Sequence, residues 1–233
     1  MKFSRGLAAL ILTILFQTTL SAEYLYKDDV IHNPSFNKEV NKLGQELYEK
    51  TGISLRLVMI RELPNGKNIV EYQEEIMKDF DEPTILLTFS ELDSKVDILA
   101  NDSSLYEYFD KKQVLSPTAS SVQAFIIAIF YSSSFESFIE MAGNSGGTII
   151  PLLAGKAKKG DQLGKYSGSM YNGYADIAEQ VAISKGVELE NAAGNANKIT
   201  MTIIKTLFYG ILFYAIFVYV RNKIRTRRQE CES

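Results

Sequence analysis

The apolar positions of this chain change period several times, and each change marks an element. In "NPSFNKEVNKLGQELYEKTG", Phe36, Val40, Leu43 and Leu47 recur at helical spacing, which predicts a first helix. Pro34 suits its opening turn and Gly52 the position just past its end. "ISLRLVMI" (53–60) follows at once, and its apolar, β-rich run predicts a strand buried on at least one face. "ELPNGKN" turns the chain, after which Ile69, Tyr72, Ile76 and Phe80 align on a second helix. "TILLTF" is a short, continuously apolar strand, and "KVDILA" an alternating one reached through the polar "SELDS". "SSLYEYFDKKQVL" predicts a short helix capped by Ser103 or Ser104.

That order implies an α/β domain with a central sheet and helices on its faces. The crossover from the first strand to the second is expected to be parallel and right-handed. The next connection has hairpin length, so the sheet is expected to be mixed. Beyond residue 115, "SSVQAFIIAIFYSSSFESFIEMAG" predicts a core or interfacial helix interrupted by Ser132–Ser134. "GGTIIPLLAGKAKKGDQ" is a Gly- and Lys-rich connector, and "YNGYADIAEQVAISKGV" a closing helix.

The two ends have a different pattern. Residues 1–22 run from a short basic start (Lys2, Arg5) through an apolar stretch to small and polar residues, the three-part order of a signal peptide. An uncleaved anchor is the alternative. Residues 199–220 predict a transmembrane helix, at 1.5 Å per residue about 33 Å long. Five cations follow within 221–228, so the positive-inside rule places the basic tail, 221–233, in the cytoplasm. The expected organisation is therefore a signal peptide (1–22), an exported domain (23–190), a polar linker (191–198), one span and a tail. This predicts a single-pass protein of the inner membrane with its main domain periplasmic. Lys205 falls inside the expected span, where it either snorkels to the headgroups or meets an acidic group on a membrane protein partner.

Charge sharpens this picture. Residues 23–198 hold 17 Lys/Arg against 26 Asp/Glu, a net of −9. Such a domain repels nucleic acid and favours cations or basic partners. The only cysteine, Cys231, lies in the tail, so no disulfide staples the exported domain.

Three motifs suggest chemistry. "GNSGG" (143–147) has Gly-x-Ser-x-Gly spacing, but the sole histidine, His32, precedes Ser145, whereas a hydrolase elbow needs its histidine afterwards. "DFDEPT" (79–84) imitates an Asp-x-Asp-x-Thr phosphatase signature, yet Asp79 ends a helix rather than a strand. One His and one Cys on opposite membrane faces exclude a closed zinc site. The carboxylates remain: Asp81 and Glu82 before one strand, and Glu91, Asp93, Asp97 and Asp102 in or after the next connection. Loops at one sheet edge converge, so Asp81, Glu82, Asp93 and Asp97 are candidate oxygen ligands for Ca²⁺ or Mg²⁺. A solvated acidic surface is the simpler reading of the same residues.

The run "TGISLRLVMIRELPNGKNIVEYQEEIMKDF", continuing into "TILLTF" and a hairpin strand, resembles the TPM-domain family, which includes thylakoid-lumen phosphatase-like and photosystem-repair proteins. The resemblance covers about residues 30–113. It implies a three-layer α/β/α sandwich, exported from the cytoplasm, with acidic residues at one sheet edge that bind a divalent cation. Asp81 and Asp93 are the nearest counterparts of those acidic positions. Where the family carries an Asn-Gly turn before the second strand, this chain has "DFDEP". The expected function is an accessory, assembly or repair factor for a membrane protein complex rather than an enzyme. A divalent-metal-dependent phosphatase and a solute- or peptide-binding module are the alternatives.

Overall fold

A computed structural model describes residues 23–157, 160–192, 206–219 and 221. The chain divides into two compact units, Met1–Asn191 and Ala192–Ser233.

The first unit is built on a four-stranded sheet. Strands β1 (Leu25–Asp28), β2 (Ser54–Ile60) and β3 (Thr84–Ser90) are parallel neighbours, and β4 (Lys95–Ala100) closes antiparallel on β3. Every residue of β2 and β3 is buried, as the inner strands of a sheet covered on both faces must be. The sheet is mixed, as the connection lengths predict.

Helix α1 (Pro34–Thr51) starts where Asn33 accepts the amides of Ser35 and Phe36, and stops at Gly52 in the left-handed region, φ 72°. Helix α2 (Ile69–Met77) opens with a reciprocal capping box between Asn68 and Glu71. Short helices follow at α3 (Lys111–Val114), α4 (Ser121–Tyr131), α5 (Phe135–Gly143) and α6 (Ile150–Ala154), before the long α7 (Gln162–Ser184).

The two sheet faces receive different helices. Val58, Ile60 and Leu86 pack with Tyr72, Ile76, Met77 and Phe80 in one apolar cluster, which places α2 on that face. Side chains alternate along a strand, so Phe89 points the other way; there its ring meets Tyr166 of α7, centroids 5.1 Å apart. Helix α1 lies against α7 and β2 on this second face. The unit is thus a three-layer α/β/α arrangement.

A topological consequence follows. Strands β1, β2 and β3 advance across the sheet in one direction, yet α1 crosses over one face and α2 over the other. Two such crossovers must have opposite hand, so only one of them obeys the right-handed preference.

Strand β1 and the segment after β4 depart from the sequence reading. Strand β1 was not expected. It is short, and Asn41 of α1 holds its start by accepting the amides of Tyr24 and Leu25. The "SSLYEYFDKKQVL" helix is replaced by a 3₁₀ turn (Ser103–Glu107) and α3, separated by Asp110, which caps α3 through the Gln113 amide.

The second unit corrects the expected C-terminal span. Of the predicted span, 199–220, the structure describes 206–219, a single helix with Leu207, Phe213 and Tyr219 among its exposed side chains. No described helix is long and apolar enough to cross a membrane. A fold with an added C-terminal transmembrane helix, and with it a single-pass protein, is therefore not what the described residues form. Residues 1–22, most of the 191–198 linker, Lys205 and the tail beyond Arg221 lie outside the described residues.

Candidate interaction surface

The four candidate metal ligands are separated along the sheet. Asp81 and Glu82 precede β3, whereas Asp93 follows it, in the β3–β4 turn. Seven strand residues stand between the two groups, a separation of roughly 20 Å or more. Asp81 is exposed. Among the described residues, no three His, Cys, Asp or Glu side chains gather as a metal site.

Three of these carboxylates have structural partners. Glu82 Oε1 accepts from Arg56 Nη2 at 2.7 Å, and the Arg56 guanidinium lies over the Phe80 ring, 4.2 Å from its centroid. Burial pushes the Glu82 carboxyl up, but Arg56 and the other hydrogen-bond donors around it together outweigh this and hold the group below the usual range. Asp93 accepts from the Ser90 hydroxyl at 2.6 Å and the Leu63 amide at 2.8 Å, and these bonds hold its carboxyl low. Asp97 pairs with Lys111 at 2.8 Å. Each interaction ties a loop or helix to the sheet.

An open cleft of about 480 Å³ lies beside β1 and the start of α1, with Asp28, His32 and Asn37 in its wall. Asp28 does not face a ligand freely. Its oxygens accept the amides of Val30, Ile31 and His32 and so shape the β1–α1 turn.

The more informative surface is the pair α4–α5. Between Lys112 and Lys156 the only formal charges are Glu136 and Glu140. On α4, Ala124 and Ala128 are buried, while Val122, Phe125, Ile126 and Ile129 face outward. Their spacing, i, i+3, i+4, i+7, makes one continuous apolar stripe. Phe125 is 50% exposed and Val122 70%. Ser132 ends α4 and Ser134 starts α5 by accepting the Ser137 amide, so the serine triplet is the turn between the two helices. On α5, Phe135 is 78% exposed and Ile139 56%. The rings of Phe125 and Phe138 meet edge to face, centroids 5.6 Å apart, joining the two helices' apolar faces. Of the two expectations for this run, core or interfacial, the core one is corrected: Ala124 and Ala128 are the buried residues of α4, while Val122, Phe125, Ile126 and Ile129 point out.

The hairpin stands on a fixed base. Ser116 and Thr118 both donate to the Asn144 carbonyl, at 3.0 and 2.5 Å. The Gly147 amide donates to Thr118 O at 2.9 Å. Gly147 also sits so close under Ser116 that a Cβ would run into the Ser116 carbonyl. Gln113 donates to the Gly146 carbonyl and to Asp176 of α7, and Thr148 donates to the same Asp176 oxygen at 3.0 Å. Gln180 completes the clasp by donating to Gln113 at 2.7 Å and accepting the Asp110 amide at 2.8 Å. The "GNSGG" motif is part of this base. Ser145 shares a hydrogen bond with Ser121, and its glycines serve close packing and a positive φ at Gly146.

The break at Ser132–Ser134 is legible in the sequence; the outward-facing stripe is not, because an uncharged apolar run reads as core or as interfacial helix alike. The signal is present in the periodicity, where Ala124 and Ala128 recur four residues apart, away from the stripe of Val122, Phe125, Ile126 and Ile129.

No protein-family model matches the chain, and no curated protein matches it.

Proposed function

We propose that this domain acts by docking rather than by chemistry, as an exported accessory or assembly factor for a membrane protein complex, engaging other proteins through the α4–α5 hairpin. The observation that carries this reading is an exposed, charge-free apolar stripe held on a hydrogen-bonded base. Patches of this kind mark interaction sites on otherwise polar domains. The signal-peptide pattern of residues 1–22 supports the exported location, and the resemblance of residues 30–113 to the TPM-domain family supports an accessory or repair role. The phosphatase alternative has less support, because Glu82, Asp93 and Asp97 are engaged in holding the fold together.

The test is a photo-crosslinking amino acid at Ile126 of the full chain, expressed in cells, with the same probe at exposed Glu62 as control. Discrete protein adducts from position 126, absent from position 62, are expected. A probe at 126 that yields no protein adduct overturns the docking function.

A further inference from the structure

We infer that the first partner of the hairpin is a second copy of this chain, paired through α4 about a two-fold axis that passes between Phe125 and Ile126. The inference rests on reading the hairpin as a docking surface, and it names the occupant.

The stripe itself has the required symmetry. A two-fold interface uses the same patch on both subunits, so the patch must be complementary to itself. Val122, Phe125, Ile126 and Ile129 are spaced symmetrically about the midpoint of the 125–126 bond. Laid antiparallel on itself, α4 therefore sets Val122 against Ile129 of the partner subunit, and Phe125 against Ile126 of the partner subunit. Large faces large, and no position is left opposite a gap.

Charge points the same way. Two domains that each carry −9 repel across most orientations. Helix α4 has no formal charge, so copies meeting there bring no like charges into contact. A lipid surface fits less well, since helices that lie in headgroups carry Lys or Arg beside the apolar face, and here the helices' own charges are Glu136 and Glu140, with Lys112 from outside the hairpin 3.9 Å from Glu140.

The area is sufficient. Val122, Phe125, Ile126, Ile129, Phe135 and Ile139 present on the order of 600 Å² of apolar surface on each copy, given their exposure. Covering both helices of each hairpin, α5 as well as α4, would bury about 1,200 Å² in total, the lower end of specific protein interfaces.

The experiment uses the full chain with Cys231→Ser and single cysteines on α4. Residues next to the axis approach their own counterparts, whereas Val122 and its counterpart are offset by about 10 Å along the paired helices. Under mild oxidation, Ile126→Cys is expected to form covalent dimers at least ten times faster than Val122→Cys alone. A mixture of Val122→Cys and Ile129→Cys chains is expected to couple as readily as Ile126→Cys does. Two chains per particle are expected by analytical ultracentrifugation, with the dissociation constant weakened at least a hundredfold by Ile126→Asp. One chain per particle, or self-coupling of Val122→Cys as fast as Ile126→Cys, overturns the pairing. A chain that stays alone while its position-126 photoprobe captures a different protein sinks the pairing and leaves the docking function standing. A photoprobe that captures nothing sinks both.

Discussion

Tyr174 donates its hydroxyl to the carbonyl oxygen of Leu55 over 2.7 Å, joining residues 119 apart in the chain. Strand β1 begins opposite Leu57, so it does not reach this carbonyl, and α7 supplies the missing partner. Tyr174 is fully buried, and burial drives its phenol pKa well above the ordinary value. Tyr174→Phe keeps the ring and orphans the Leu55 carbonyl. A loss of about 1–2 kcal/mol is expected, read as a lower urea midpoint at unchanged slope.

A second long-range tie closes the domain. Glu46 of α1 is buried and accepts from Lys50 at 2.7 Å, from the Glu190 and Asn191 amides, and from the Asn191 side chain. Burial alone would raise its carboxyl pKa, but these donors outweigh it and lower it to about 2. A depressed folded pKa contributes stability above the unfolded value, and that contribution is lost as pH falls through the folded one. Glu46→Ala is expected to cost about 2 kcal/mol at pH 7. The gap from the parent protein should hold down to about pH 4.5 and close towards pH 2, as measured by denaturation across that range.

Arg56 offers a test of how the sheet-edge carboxylates are used. Glu82→Ala leaves the Arg56 side chain, 11% exposed and with its guanidinium over Phe80, without its carboxylate. Destabilisation of about 2–3 kcal/mol is expected. The loss should be the same in millimolar Ca²⁺, in Mg²⁺ and in a chelator. A thermal midpoint that rises with cation in the parent and not in the variant would show instead that Glu82 ligates metal.

Gly147→Ala addresses the hairpin base. The added methyl group meets a backbone carbonyl rather than a flexible side chain, so the 116–118 and 144–147 segments must separate. About 2–4 kcal/mol is expected to be lost, with hydrogen exchange rising first at the amides of α4 and α5.

What could be read from the sequence divides along the kinds of information residues carry. Helices α1 and α2 and strands β2 to β4 have a clear period, flanked by Pro34, Gly52 and Asn68, and they form where the pattern places them. Strand β1 has no such period over its four residues; its pairing with β2 and the Asn41 side chain define it. The carboxylates show the limit for sites. Glu82 and Asp93 lie near each other in sequence, but a strand separates them in space, and Arg56 and the Leu63 amide, their actual partners, have no sequence signature. Hydrophobicity misled at α4 for the reason that it marks what avoids water and not which protein supplies the cover.

The Glu46 clasp has a mechanical consequence. The chain leaves α7 at Ser184, yet Lys50 holds the Glu188 carbonyl at 2.7 Å and Glu46 grips the next turn. A pull applied beyond Asn191 is therefore carried by α1, across several bonds loaded together, and does not peel α7 away turn by turn. Tension on that end would reach the interior of the domain while its last helix stays seated.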